Sequence, residues 1–339
     1  MNLYENIFVT VIMSTRNTAE EYLEQSVESI LHQTHKNFEF IITVDGSTNN
    51  DYEILKAYYE KDQRIKIIVN ETNKGLAYSL NRMIDLSSGK YIFRMDSDDI
   101  SYPNRIETMI KFLETNPQID ICGSQVNYLY DNNKTKRRRS FLPCKDKEIK
   151  YFFALSNSLA HPTVVLRKSS ITSHKLKYST EDRSEDYSLW VNSAIQGLCF
   201  ANYNSPLLQY RIHSNQTVVK NKDELNECTL RIKRRYYNHL GFRIDESEII
   251  ILNSLFHDIS KYNKNEINRI GRLLLELSDC FEGKKDARKF YANVIFRRVL
   301  ANRSHLKKRV LIQKDFPLFD DFNIFEKLVL FFIRHGIVL

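Results

Sequence analysis

The run Gly89-Lys90-Tyr91-Ile92-Phe93-Arg94-Met95-Asp96-Ser97-Asp98-Asp99 carries a short β-rich stretch, Lys90–Met95, straight into three carboxylates within four residues. Lys90–Met95 is predicted as a central strand, and the carboxyl edge of such a strand is where open α/β sheets bind ligands. Like charges packed this closely repel unless something cationic offsets them, and hard divalent cations held by oxygen ligands beside substrate phosphates are the usual answer. The plain alternative is a polar loop capping the next helix, because an isolated Asp-x-Asp is common.

Outward from this run the order is regular. Before it come a strand at Phe8–Met13, a helix at Ala19–Gln33, a strand at Phe38–Val44, a helix at Tyr52–Lys61, a strand at Ile65–Val69 and a helix at Leu76–Leu86. After it come a helix opened by Pro103 and running to Leu113, a strand near Ile119–Leu129, a helix at Lys147–Leu155 and a strand at Thr163–Arg167. A helix at Tyr187–Gln196 and two short strands, Cys199–Asn202 and Leu207–Arg211, complete the mixed region. Strands alternating with helices predict an α/β fold with a doubly wound, mostly parallel sheet. In the first helix Tyr22, Leu23, Val27, Ile30 and Leu31 recur at helical spacing and are assigned to the core. From Glu224 onward the pattern is helical, so the reading is a catalytic domain over 1–219 and an appended basic helical region over 220–339.

Charge follows the same division. Residues 1–219 hold 26 Lys+Arg against 26 Asp+Glu, and residues 220–339 hold 24 against 16, so the whole net charge of +8 belongs to the C-terminal third. That asymmetry points to a polyanionic partner or to solvated helix faces. Five cysteines, odd in number and never in a Cys-x-x-Cys pair, indicate neither a disulfide framework nor a zinc site and fit a reducing compartment. No window reaches the roughly 18–20 apolar residues that span a bilayer, and no export leader opens the chain, so a cytoplasmic location is expected.

Several segments in order resemble family 2 of the glycosyltransferases. They are Val11–Asn17, Glu28–Thr34, Asn37-Phe38-Glu39, Val44-Asp45-Gly46-Ser47-Thr48, Asn73-Lys74-Gly75-Leu76 and the acidic run itself, with Pro103 and Arg105 in register. His161-Pro162-Thr163, Glu185-Asp186-Tyr187-Ser188-Leu189-Trp190 and Tyr210-Arg211-Ile212-His213 look like later landmarks of the same family. The resemblance covers about residues 7–219, and ordered motifs are far more specific than any one alone.

The resemblance implies the GT-A fold, a nucleotide-sugar donor, Mn2+ or Mg2+, and inversion at the anomeric carbon. Asp98 matches the metal ligand, His213 matches a histidine that completes the metal site, and Asp96 lies close to the ribose or behind the ligands. Asp45 matches the carboxylate that accepts a hydrogen bond from the donor base; an ionised Asp only accepts, which favours a base edge presenting N–H, as uracil does. Ser14, Asn17, Asn73, Gly75 and Ser97 fall in the motifs that line the donor. Arg16 stands where many relatives carry an aromatic residue, and its guanidinium suits a flat ring, a phosphate or a surface salt bridge. Asp186 matches the general base that removes the acceptor hydroxyl's proton, while Glu185-Asp186 also suits a helix N-terminus.

The expected partners are therefore a nucleotide-sugar donor, a UDP-sugar for preference, and a glycan or lipid-linked acceptor in surface polysaccharide or lipopolysaccharide synthesis. Arg231–Arg235, Lys307–Arg309 and the apolar stretch Leu328–Ile333 suggest peripheral contact with the inner face of a membrane, with a core helix or homodimer contact as the competing account. A non-catalytic nucleotide- or nucleic-acid-binding protein on the same sheet is the alternative function. Nucleic acid is disfavoured because no helix-turn-helix, zinc or aromatic RNA-binding pattern is visible. A dehydrogenase is excluded because Ser14-Thr15-Arg16-Asn17 replaces the Gly-x-Gly-x-x-Gly turn.

Overall fold

The computed structural model describes residues 4–130, 142–213, 222–254, 264–301, 316–322 and 327. It divides into two compact units, Met1–Ile149 with Asn157–Thr229, and Lys150–Ser156 with Leu230–Leu339.

The first unit is built on strands β1 (Val9–Thr15), β2 (Phe38–Asp45), β3 (Ile65–Asn70), β4 (Tyr91–Asp96), β5 (Ile100–Ser101), β6 (Ile121–Tyr130), β7 (Val165–Arg167) and β8 (Phe200–Ile212). They form one eight-stranded sheet in the order β3-β2-β1-β4-β7-β6-β8-β5. β3, β2, β1 and β4 run parallel, as the alternating pattern requires, and β7 enters antiparallel between β4 and β6. Helices α1 (Glu20–Leu31), α2 (Asp51–Tyr59), α3 (Leu76–Leu86) and α4 (Arg105–Thr115) make the connections. Val9, Val11, Ile12 and Met13 of β1 are fully buried, each such side chain contributing about 1.5–3 kcal/mol relative to exposure.

The structure differs from the sequence reading in several places, among them the strand Ile100–Ser101 and a helix at Lys168–Ser173 that the sequence did not predict. α4 begins at Arg105 with Asn104 as its cap, because a turn closed by Arg105 N–H on Tyr102 O takes up Pro103, whose carbonyl accepts Thr34 N–H. The two short strands expected after residue 198 are one, β8, because a bulge opposite Ser124–Val126 absorbs the residues between Tyr203 and Leu208 and lets pairing resume. Tyr22, assigned to the core, is only partly buried and turns toward the strand edge, where it meets Arg211. The basic run Lys134–Arg139, which the sequence reads as an exposed loop between strands, lies outside the described residues.

α5 (Asp146–Phe153), α6 (Lys168–Ser173) and α7 (Glu185–Ile195) follow in chain order. The second unit contains most of α8 (Lys222–Leu240), with α9 (Glu246–Ser254), α10 (Lys264–Asp279) and α11 (Lys284–Ala301). In α10, Ile267, Ile270, Leu273, Leu274 and Leu277 recur at helical spacing and are buried. Three tyrosine hydroxyls fasten the strap Lys150–Ser156 into this unit: Tyr236 donates to Lys150 O, Tyr291 to Tyr151 O and Tyr237 to Ala154 O. Among the described residues no helix is long and apolar enough to cross a membrane. Lys307–Arg309 and Leu328–Ile333 lie outside them. Within Arg231–Arg235, Arg231, Arg234 and Arg235 are exposed, but Lys233 is buried, its amine bonded to Asn253 Oδ1 and its pKa lowered to about 7 by burial. Burial thus keeps this amine from facing a partner surface.

Candidate active site

The parallel strands end together. Ser14 on β1 pairs in register with Asp96 on β4, and Asp45 closes β2 opposite Asn70 on β3. One carboxylate oxygen each from Asp96, Asp98 and Asp99 lies within 4.8 Å of the others. The compensation that such a cluster needs is partly internal. Arg94, two residues before Asp96 and so on the same face of β4, forms a bidentate ion pair with it at 2.5 and 2.6 Å. Its side chain is 2% exposed against 31% for Asp96. Burial pushes the Asp96 carboxyl above the usual range although Arg94 pulls it back. Arg105, also buried, donates to Arg94 O at 2.7 Å, and burial followed by Arg94 lowers its pKa to about 9.

Arg211 fixes the other end of the acidic loop. Its N–H donates to Asp99 Oδ1 at 2.8 Å, its Nε to Asp98 O at 2.7 Å and its Nη2 to Gln25 Oε1 at 2.6 Å. The guanidinium lies 4.1 Å from the centroid of the Tyr22 ring. His213, just past β8, has Nε2 2.9 Å from Asp98 Oδ2. Asp99 is buried, and its Oδ2 has no hydrogen-bond partner among the described residues. Burial, then the charges of Asp96 and Asp98, hold its carboxyl well above the usual range. A cluster of hard oxygen donors containing one orphaned buried oxygen, with an imidazole at its edge, is a donor set that suits a divalent cation.

The neighbouring loops interlock through short polar side chains. Ser97 Oγ and Thr18 Oγ1 are 2.7 Å apart, and Thr15 and Ser47 both donate to Asp51 Oδ2, at 2.9 and 2.7 Å. Asn17 adopts the left-handed conformation, φ 53°, and its Oδ1 accepts Thr48 N–H at 2.7 Å. Arg16 is exposed and ion-paired with none of the described residues. Asp45 is buried and holds the loop before α3, accepting from Asn70 Nδ2 at 2.8 Å and from Lys74 and Gly75 N–H at 2.9 Å each. A carboxylate has about four acceptor directions, so one remains. Gly46 is required beside it, because at φ +63° a Cβ would stand 2.3 Å from Asn73 N. Asn73 is exposed, and its Oδ1 accepts Gly75 N–H at 3.1 Å.

Asp186, in the first turn of α7, is partly exposed. Its Oδ1 accepts Tyr187 N–H at 2.6 Å and its Oδ2 accepts Asn157 Nδ2 at 2.7 Å. Burial raises its carboxyl above the usual range, against the pull of Tyr187 N–H, Arg94 and Asn157. Glu185 beside it is pushed up to about 7 by burial and then by Asp186. Because Arg94 and Asp96 act on both, the helix terminus and the acidic loop share one electrostatic environment.

The structure thus gathers Ser14, Asp96, Ser97, Asp98 and His213 at one strand edge, groups Asn17, Asp45, Asn73 and Gly75 in the adjoining loops, and sets Asp186 within reach of the same charges. The sequence reading gave no site role to Arg94, Tyr22 or Asn157, and counted Asp99 within the acidic run without a role of its own. Arg94 had a signal, its i, i+2 spacing from Asp96; Asn157 had none.

Glycosyl transferase family 2 matches residues 10–175. The chain is 39% identical over 243 residues to an uncharacterised glycosyltransferase of Methanocaldococcus jannaschii, covering 69% of this chain and 83% of that protein. It is 32% identical over 214 residues to the O-antigen biosynthesis glycosyltransferase WbnJ of Escherichia coli, covering 62% and 81%. The fold is similar to that of S. aureus TarS 1-349, solved in complex with UDP-GlcNAc, with a TM-score of 0.57 over 89% of this chain and 92% of that one at 16% identity. The sheet and its acidic strand edge are those of a GT-A glycosyltransferase. The chain belongs to glycosyltransferase family 2.

Proposed function

We propose that this protein transfers a sugar, with inversion, from a nucleotide-diphosphate sugar, a UDP-sugar for preference, to a hydroxyl of a growing glycan in surface polysaccharide or lipopolysaccharide assembly. The observation that carries the proposal is the carboxylate cluster with its orphaned Asp99 oxygen, in the same electrostatic environment as Asp186. Asp98 and His213, with Asp99 behind them, would hold Mn2+ or Mg2+. Bound there, the cation neutralises charge on the leaving diphosphate. Asp45 keeps one acceptor direction for a base N–H, Arg16 is open to stack on the ring or pair with phosphate, and Ser14, Asn17, Asn73, Gly75, Asp96 and Ser97 line the donor.

Asp186 takes the proton of the acceptor hydroxyl as that oxygen bonds to the anomeric carbon. The bond from carbon to the diphosphate oxygen breaks on the opposite face, the electron pair leaves with the diphosphate, and configuration inverts. WbnJ's part in O-antigen synthesis favours a surface-glycan acceptor. The proposal places the protein in the cytoplasm, with residues 220–339 resting on the inner face of the membrane through exposed Arg231, Arg234 and Arg235, of which Arg234 shares its charge with Glu246. The test of the activity is a panel of UDP-, GDP- and TDP-sugars assayed for metal-dependent transfer or hydrolysis. One strong UDP-sugar, giving a product of inverted configuration by NMR, is expected; a retained anomeric configuration or no metal-dependent turnover with any donor contradicts it.

A further inference from the structure

We infer that Asn157 is a positioning residue for the base, presenting an oriented amide N–H that holds the Asp186 carboxylate in one plane. The inference rests on the assignment of Asp186 in the proposed reaction. The amide has a single consistent orientation. Asn157 Oδ1 accepts Leu159 N–H at 3.0 Å, closing an Asx turn, so Nδ2 is turned toward Asp186 Oδ2, 2.7 Å away.

The turn itself is braced. Ser158 O accepts Asn202 Nδ2 at 2.9 Å, the same amide donates to Pro143 O at 2.7 Å, and Ala160 O accepts Thr163 N–H at 2.9 Å and Thr163 Oγ1 at 2.7 Å. Asp186 is then fixed from two sides, by Asn157 on Oδ2 and by Tyr187 N–H on Oδ1. Its remaining lone pairs point in set directions, as a base must if it is to meet the acceptor proton in line.

The charged and titratable groups around Asp186 are Glu185 on its own helix, Arg94 and Asp96 on β4, and the buried phenol of Tyr178. Among them Arg94 is the cation that favours ionised Asp186, and the Asn157 amide reinforces it by donating to the charged form.

Asn157→Asp isolates the role. The new carboxylate keeps an oxygen for Leu159 N–H and the volume of the side chain, but replaces the donor facing Asp186 with a like charge. The expected result is a lower kcat with donor KM unchanged, and an acid limb of the kcat profile moved upward by about one pH unit. Asn157→Ala, which removes donor and turn together, should move the limb in the same direction by less. Thermal unfolding and UDP-sugar binding of each variant separate this from loss of fold. An unchanged kcat and acid limb in a folded Asn157→Asp protein, while Asp186→Asn is inactive, overturns the inference. An active Asp186→Asn protein instead removes the base assignment on which it rests.

Discussion

Replacing Arg94 with Met tests whether the acidic loop is neutralised from within. The Arg94 side chain is 2% exposed and makes two short hydrogen bonds to Asp96, while its Nε finds no partner among the described residues. Removing one member of a buried pair costs about 3–5 kcal/mol, because the other charge is left uncompensated. Asp96 is 31% exposed and recovers some hydration, which places the expected loss near the lower end, about 3 kcal/mol. For a unit of this size that corresponds to a fall in Tm of about 6–12 °C. The assay is urea unfolding of the single variant, Asp96→Asn, and the double variant. The double is expected to cost less than the sum of the singles by more than about 1 kcal/mol, since a neutral amide at position 96 no longer needs a cation. An Arg94→Met protein within about 0.5 kcal/mol of the parent, or strictly additive singles, refutes the reasoning.

Two other outcomes follow from charge placement. Burial raises the Glu39 carboxyl, but hydrogen bonds from Lys66, Thr10 and Ser88 outweigh it and hold the group below its usual value. A depressed carboxyl stabilises the fold above its unfolded pKa and loses that contribution as pH falls through the folded value. Glu39→Gln should therefore cost about 1 kcal/mol at pH 7, the difference closing below about pH 4, as urea midpoints across pH would read. Sedimentation with anionic liposomes should show salt-sensitive binding that Arg231→Glu, Arg234→Glu and Arg235→Glu together abolish; no binding at low salt contradicts membrane contact.

Apart from the two-residue β5, the strands and helices from β1 to α4 were legible because each is a local pattern, apolar runs joined by amphipathic helices, and the boundaries moved by only a residue or two. The acidic loop was legible because three carboxylates at a strand end are chemically loud. What escaped was long-range. Arg94 is the local exception: its i, i+2 spacing from Asp96 was readable, but its burial was not. The strap Lys150–Ser156 is continuous with residues of the first unit, and tyrosine hydroxyls 83 to 140 residues away, with Phe281 and Phe290 against Tyr151, tie it into the second. The two short strands read at Cys199–Asn202 and Leu207–Arg211 are one because the irregular pairing opposite Gln125 accommodates Pro206, which has no N–H for the ladder. Lys233 was hidden inside a basic run, although its spacing of four from buried Tyr237 places both on the inner face of α8.

The central claim is that Asp98 helps to hold a cation on which donor binding depends. Isothermal titration of a UDP-sugar into the protein, with and without Mn2+, and into Asp98→Ala with Mn2+, tests it directly. The account predicts binding in the first case only, with the variant's unfolding temperature near or above that of the parent because one like charge has been removed from the cluster. Equal affinity for the UDP-sugar with chelator present, or undiminished Mn2+-dependent binding in Asp98→Ala, contradicts it.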